Sequence, residues 1–84
     1  MTMTKGRVLE NLKELVGTPF EANDIICAFG DFEEEGETNV IVKDSENVGY
    51  DAIAYIDSPH STQFLFATHI NADNEQIIND VWMA

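Results

Sequence analysis

Basic side chains and cysteine are both scarce in this chain of 84 residues, and each shortage excludes classes of function. Four lysines and arginines stand against sixteen aspartates and glutamates, which gives a net charge of −12 and a pI near 4.1. DNA, RNA and anionic lipid all require a basic surface, so we expect no direct nucleic-acid or membrane partner. A basic protein, such as a DNA-binding protein or enzyme, is the expected partner, although solubility alone also explains such acidity.

Cys27 is the one cysteine, which excludes an internal disulfide and argues against a zinc site. A single thiol within an apolar run is typical of a reducing compartment. No apolar run approaches the ~20 residues of a membrane span, and the opening MTMTKGRVL lacks the apolar core of a signal peptide. We therefore expect a cytoplasmic protein whose residues 1–84 form a single domain.

The negative charge is unevenly spread along the chain. Residues 1–16 carry three bases and two acids, a net of +1, whereas residues 17–84 carry fourteen acids and one base, a net of −13. Within Glu33–Asp57, carboxylates surround two apolar runs, Val40–Val42 and Ala52–Ile56. Because those runs must be buried, the carboxylates must lie at the rims and outer face of the fold, which creates a surface of nearly one sign.

Apolar periodicity predicts two helices. The first spans residues 4–16, with Thr4 as its N-cap. The second, shorter helix spans residues 74–82, where Asp73 and Gln76 resemble a capping box. Apolar residues recur three or four positions apart in the first helix at Val8, Leu9, Leu12, Leu15 and Val16, and in the second at Ile77, Ile78, Val81 and Trp82.

Four apolar runs bounded by turn residues predict strands, and the loops between them are too short for crossover helices. The predicted fold class is therefore α+β, with the N-terminal helix packed on a four-stranded antiparallel meander. The short C-terminal helix is expected to cover an edge or a face of the sheet. The predicted strands are Ile25–Phe32, Thr38–Asp44, Tyr50–Asp57 and Thr62–Ile70.

Few residues offer catalytic or metal chemistry. His60 and His69 lie nine residues apart, and nothing in the sequence fixes a Ser–His–Asp or Cys–His grouping around either of them. Asn71, Asp73 and Glu75 alternate as in a calcium loop, but the glycine and glutamate required at the sixth and twelfth loop positions are absent, and a helix cap explains the same residues. We expect neither an enzyme nor a bound cofactor or metal.

Carboxylates at alternate strand positions suggest a binding surface instead. Such side chains lie about 6.6–6.8 Å apart on one face of a strand and can stand in for a row of phosphates. Asp51 and Asp57 share one phase of their strand. A second set shares a phase if the strand before it continues into the acidic loop, namely Asp31, Glu33, Glu35 and Glu37.

An apolar cleft is the second expected binding element. A helix that leans on a sheet can leave an opening that receives one apolar side chain of a partner. The residues expected to line it are Leu12, Leu15, Val16 and Val40. The alternative for each of these four is an ordinary core position.

Several short motifs between Leu15 and Phe66 follow one another in a familiar order. They are ELVG at the helix end, a turn with proline, DII, an acidic loop before TNV, DSEN, and a tyrosine followed by AIAYIDS. In order and spacing this stretch resembles the phage uracil-DNA glycosylase inhibitor family. The resemblance implies a DNA mimic, in which carboxylates replace the DNA backbone and an apolar pocket captures a protruding side chain of the enzyme.

The resemblance also adds one residue and leaves two segments unmatched. Glu14 matches a carboxylate on the family's helix, whereas Asn11 stands where the family carries another acid. The family's N-terminal segment, with a Glu-Ser-Ile edge strand, finds no match ahead of Leu15. Residues Ala67–Ala84 have no counterpart in the family.

Together these features predict an acidic DNA-mimic inhibitor that occupies the DNA-binding site of a DNA-processing enzyme. Uracil-DNA glycosylase is the leading expected target, and a host defence nuclease is the next. The alternative is a structural module that forms a homodimer or larger homo-oligomer through a strand edge or the C-terminal helix. A small enzyme or ligand-binding domain is a third hypothesis. The expected partner-binding carboxylates are Glu14, Asp31, Glu33, Glu34, Glu35, Glu37, Asp51 and Asp57.

Overall fold

Two helices precede four strands in the computed structural model of the protein, which describes residues 3–84. The strands form one antiparallel sheet in the order β1-β2-β3-β4. The predicted α+β class with a four-stranded antiparallel sheet is therefore confirmed, but only three of the four predicted strands belong to that sheet. The elements are α1 (Lys5–Lys13), α2 (Ala22–Phe29), β1 (Val40–Asp44), β2 (Ala52–Ile56), β3 (Phe64–Ile70) and β4 (Gln76–Met83).

The N-terminal helix begins where its cap predicts. Thr4 has an extended backbone, and its Oγ1 accepts a hydrogen bond from the backbone N–H of Arg7 at 3.2 Å. The helix is shorter than residues 4–16, because the chain leaves the helix in a turn that ends at Gly17, whose φ is +91°. The side chains that α1 buries are Val8 and Leu12.

The predicted strand Ile25–Phe32 is wrong, because most of it belongs to helix α2. Ile25, Ala28 and Phe29 are buried, whereas Ile26 is 43% exposed. Inward positions three and four residues apart are the helical pattern. A short apolar run such as IICAF is compatible with either a strand or a buried helix face, so its composition alone does not decide between them.

The predicted C-terminal helix is also wrong, because residues 76–83 form strand β4. A bulge explains the error. Ala67 pairs with Asp80 and Thr68 pairs with Ile78, so one residue of β4 has no partner between them. The bulge places Ile78 and Val81, three residues apart, in the same buried cluster and so imitates helical spacing.

The residues read as a helix cap instead close the turn between β3 and β4. The Oδ1 atom of Asn71 accepts from the backbone N–H groups of Asp73 and Glu75, both at 2.9 Å. Asn74 adopts a φ of +65° there, a conformation that asparagine tolerates better than most residues. The same local bonding also accounts for the residues that resembled a calcium loop.

The main core lies between the helices and one face of the sheet. Phe29 packs edge-on against Phe64, and Phe20 packs edge-on against Phe66, with ring centroids 5.3 Å apart in each pair. Helix α1 packs against β4 and α2, whereas α2 packs against β1. On the sheet, this face includes Val40, Val42, Ala52, Ala54, Ile56, Phe64, Phe66, Ile78 and Val81.

The opposite face of the sheet carries a second, smaller apolar layer. Ile53 and Leu65 are only 7% and 8% exposed, yet neither belongs to the main core between the helices and the sheet. Tyr55 lies on the same face of β2, and Trp82 lies opposite Leu65 on β4. In a sheet, alternate residues face opposite sides. The residues of this layer are therefore the ones that alternate along each strand with the residues of the main core.

No helix within residues 3–84 has the length and the apolar character that crossing a membrane requires.

Adjacent isoleucines in α2 provide a test of the helix assignment. We expect Ile25→Val to lower the free energy of unfolding by about 0.5–1.5 kcal/mol, because the lost methylene leaves a gap in the core. The same substitution at Ile26 removes the same group from a partly exposed side chain and is expected to change stability by less than about 0.5 kcal/mol. Urea unfolding measures both. Equal losses at the two positions would contradict a helix over residues 22–29.

Candidate protein-binding surfaces

A tight turn holds the glutamate run in one position. The backbone N–H groups of Glu34 and Glu37 each donate to the carbonyl of the other, at 3.0 and 2.9 Å. Between them Glu35 and Gly36 have φ values of +54° and +81°, so the chain reverses sharply. The side chains of this turn are therefore displayed from an ordered backbone.

The turn is fastened to one end of the sheet. Oε1 of Glu34 accepts from the backbone N–H of Thr62 at 2.7 Å, which connects the turn to the loop between β2 and β3. Asp57 begins that loop, and its N–H donates to the carbonyl of Asn39 at 2.8 Å. We call this cluster the acidic end. It consists of Asp31, Glu33, Glu34, Glu35, Glu37 and Asp57.

Basic side chains do not neutralise the acidic end. Within residues 3–84 the one ion pair joins Arg7 and Glu10 on α1, at 3.5 Å. Asp31 accepts from the backbone N–H of Met3 at 2.7 Å, which is a structural bond and not an ion pair. The negative potential at this end is thus free to act on a cationic partner, and salt is expected to weaken it.

Two predicted carboxylates lie away from the acidic end. Asp51 and Asp57 flank β2 at its opposite ends, about 20 Å apart at 3.3 Å per residue. Glu14 follows α1, and the nearby Gly17 bonds to the carbonyl of Ile78, close to the other end of the sheet. The structure therefore does not assemble all eight predicted carboxylates into one ridge.

The acidic loop does not show the predicted alternation along a strand. That prediction required a strand that continues through Asp31–Glu37, but α2 ends at Phe29 and residues 34–37 form the tight turn. These carboxylates are grouped by a reversal of the chain and not by strand alternation. Glu34 is half-buried and anchored, whereas the others in the turn are exposed.

The predicted apolar cleft does not form. Leu12 is fully buried, and Leu15 and Val40 are half-buried against the core. Val16 is 41% exposed, but it follows α1, which packs on β4, whereas Val40 belongs to β1 at the other edge of the sheet. Helix α2 packs on β1, in the region where the cleft was expected.

A groove on the outer face of the sheet had not been expected. Its volume is about 580 Å³. Nζ of Lys43 lies 5.5 Å from the centroid of the Tyr55 ring, within the range of a cation–π contact. The Tyr50 hydroxyl accepts from Nδ2 of Asn47 at 2.7 Å, which positions that ring. We call this the sheet groove, and its lining includes Lys43, Asp44, Glu46, Tyr50, Tyr55 and Gln63.

The histidines do not form a joint site. His60 lies in the loop before β3, whereas His69 lies near the other end of that strand, where its ring contacts the side-chain amide oxygen of Asn79. Among residues 3–84, no three His, Cys, Asp or Glu side chains are grouped to hold a metal ion.

Comparison with known protein families, with curated proteins and with solved structures finds no match to this chain.

The two aspartates that flank β2 differ in role, because in the part of the chain that the structure describes the Asp51 carboxylate is part of the fold's hydrogen bonding and the Asp57 carboxylate is not. Oδ2 of Asp51 accepts from the backbone N–H of Thr68 at 2.8 Å, next to the β4 bulge partner Ala67. We expect Asp51→Ala to cost about 0.5–1.5 kcal/mol of unfolding free energy, because that N–H loses its acceptor. Asp57→Ala removes no side-chain hydrogen bond found within residues 3–84 and is expected to change stability by less than about 0.5 kcal/mol. Thermal or urea unfolding compares them. A larger loss at Asp57 would contradict this division.

Proposed function

We propose that the protein is an acidic inhibitor that occupies the DNA-binding site of a DNA-processing enzyme. In this proposal the acidic end enters a cationic site and takes the place of DNA phosphates. The protein acts by binding alone and requires no cofactor. Such an interaction gains speed from long-range steering and specificity from the positions of the charges.

The ordered acidic turn is the observation that carries the proposal. A run of glutamates on a loose loop would lose conformational entropy on binding, whereas this turn is already closed by two backbone hydrogen bonds and tied to Thr62. Glu33, Glu35 and Glu37 are exposed there. Preorganised, unneutralised carboxylates are the arrangement that a cationic site binds most favourably.

Uracil-DNA glycosylase is the leading proposed target, and its support comes from the sequence resemblance over Leu15–Phe66. Residues of the acidic end fall within that stretch. We place the activity in the cytoplasm, where DNA-processing enzymes of a bacterial cell act and where a free thiol such as that of Cys27 is stable.

Self-association is the second candidate function. Its route through a C-terminal helix is removed, because residues 76–83 form a strand. The route through a strand edge remains, since β1 lies at the border of the sheet. A net charge of −12 on each copy opposes it at low salt, whereas a basic partner is attracted by the same charge.

Neutralising the exposed glutamates of the turn tests the proposed function. We expect the native protein to inhibit uracil-DNA glycosylase at stoichiometric amounts. The triple variant Glu33→Gln, Glu35→Gln, Glu37→Gln should bind at least about tenfold more weakly, equivalent to about 1.4 kcal/mol, because three steering charges are lost. Glu34 is left in place because it anchors the turn. Inhibition assays and binding isotherms at about 0.1 M salt give both quantities.

A charge-matched variant provides the control. Glu21→Gln, Asp24→Asn and Asp73→Asn change the net charge equally but lie away from the acidic end, and none of these side chains makes a hydrogen bond within residues 3–84. This variant should keep most of the affinity. Equal weakening of the two variants would reduce the effect to overall charge, and a pull-down from bacterial lysate that returns no DNA-binding protein would contradict the proposal.

A further inference from the structure

Strand β1 forms one edge of the sheet, and its outward backbone groups have no hydrogen-bond partner within the described part of the chain. Ser45 N–H bonds to Asp51, and Asp57 N–H bonds to Asn39, which marks the odd-numbered positions of β1 as the ones that bond to β2. In an antiparallel pair these positions alternate with outward-facing ones. The N–H and C=O groups of Val40, Val42 and Asp44 therefore point away from the sheet, and no other part of residues 3–84 hydrogen-bonds to them.

The other edge of the sheet is partly covered by the chain itself. Gly17 N–H donates to the carbonyl of Ile78 at 2.8 Å, and Ile78 N–H donates to Thr18 at 3.0 Å. Phe20 N–H donates to Gln76 at 2.7 Å. The segment between α1 and α2 thus pairs with the first part of β4. Because unpaired edges favour addition of another strand, the two edges differ in what they offer to a partner.

The sheet groove adjoins the open edge. Lys43 and Asp44 belong to β1 and also line the groove, and Tyr55 lies beside Lys43 on the outer face of β2. A strand added alongside β1 would direct alternate side chains to this outer face. One of them would therefore reach the groove while the added backbone bonds to Val40, Val42 and Asp44.

The groove has the chemistry to receive a cationic side chain. Glu46 supplies a carboxylate, and no base within residues 3–84 lies within ion-pair distance of it. The Tyr55 ring already holds the ammonium group of Lys43, so its face accepts a cation. A guanidinium group combines both contacts, because it stacks on aromatic rings and pairs with carboxylates.

We propose that the β1 edge and the sheet groove together bind an extended segment of a basic protein, which adds as a further strand and places an arginine or lysine side chain in the groove. Charge decides the occupant. A second copy would bring another −12 to the edge, whereas a basic segment brings the opposite sign. This surface is separate from the acidic end, so the inference does not depend on the proposed function.

A short, end-blocked peptide in which threonine and arginine alternate is the probe. Amide chemical shifts of the isotope-labelled protein, followed during titration, should change at Val40, Val42, Asp44 and Tyr50. The same peptide with N-methyl groups on alternate residues keeps its charge but cannot pair with β1, so its affinity should fall at least about tenfold. A peptide with glutamate in place of arginine should not bind.

Two variants test the groove separately from the edge. Glu46→Gln should weaken binding of the arginine peptide by about threefold to tenfold, whereas Glu75→Gln, with the same change of charge in the turn between β3 and β4, should leave it unchanged. Lys43→Met removes the competing ammonium group and should strengthen binding.

Several outcomes would overturn the inference. Equal binding of the N-methylated peptide would show that charge alone attracts the probe. Equal effects of the Glu46 and Glu75 substitutions would remove the groove from the interaction. A third such outcome is that the Lys43→Met variant binds the peptide more weakly than the native protein, or forms a dimer in light scattering without peptide. Either result would mean that Lys43 prevents self-association at the edge and does not compete with the peptide for the Tyr55 ring.

Discussion

Packing of both helices against a single face of the sheet is the constraint on which the other features depend. The core formed there contains only apolar side chains, and within residues 3–84 no polar or charged residue is buried. Within residues 3–84 the carboxylates therefore lie in the turns, at the strand ends, beside the bulge of β4 and on the exposed helix faces. A small domain buries too little apolar surface to offset the free-energy cost of burying charged groups, so its carboxylates remain at the surface. Its shape consequently determines where the negative charge is displayed.

Local signals in the sequence were sufficient for the elements with regular patterns. The Thr4 cap with its apolar stripe predicted α1, and the alternating runs predicted the strands now numbered β1–β3 and their antiparallel order. The two failures have distinct physical causes. The α2 run is too short to show whether its period is two or 3.6. In β4 the bulge near Asp80 shifts the alternation by one residue, which no composition rule reveals before the pairing with β3 is known.

The surfaces could also be predicted only as far as they depend on residues that are close in the sequence. The acidic end could be located from the glutamate run, but its grouping comes from a turn and from the bond between Glu34 and Thr62, which are 28 residues apart. The expected cleft failed because α1 packs on β4, at the opposite edge of the sheet from Val40, and α2 packs on β1 instead. The sheet groove was missed because the neighbours Lys43 and Tyr55 meet only through the register of β1 and β2. The two tyrosines that follow the DSEN turn, Tyr50 and Tyr55, were the one local signal for it.

The acidic end and the open β1 edge give the molecule two surfaces suited to a basic partner, and the proposed inhibition requires the first of them. Amide hydrogen exchange of the protein, alone and mixed with uracil-DNA glycosylase, tests this requirement most directly. The account predicts slower exchange in residues 33–37 and in the loop 57–62 when the enzyme is present. Unchanged exchange in both segments, whether no complex forms or another surface is covered, would contradict it.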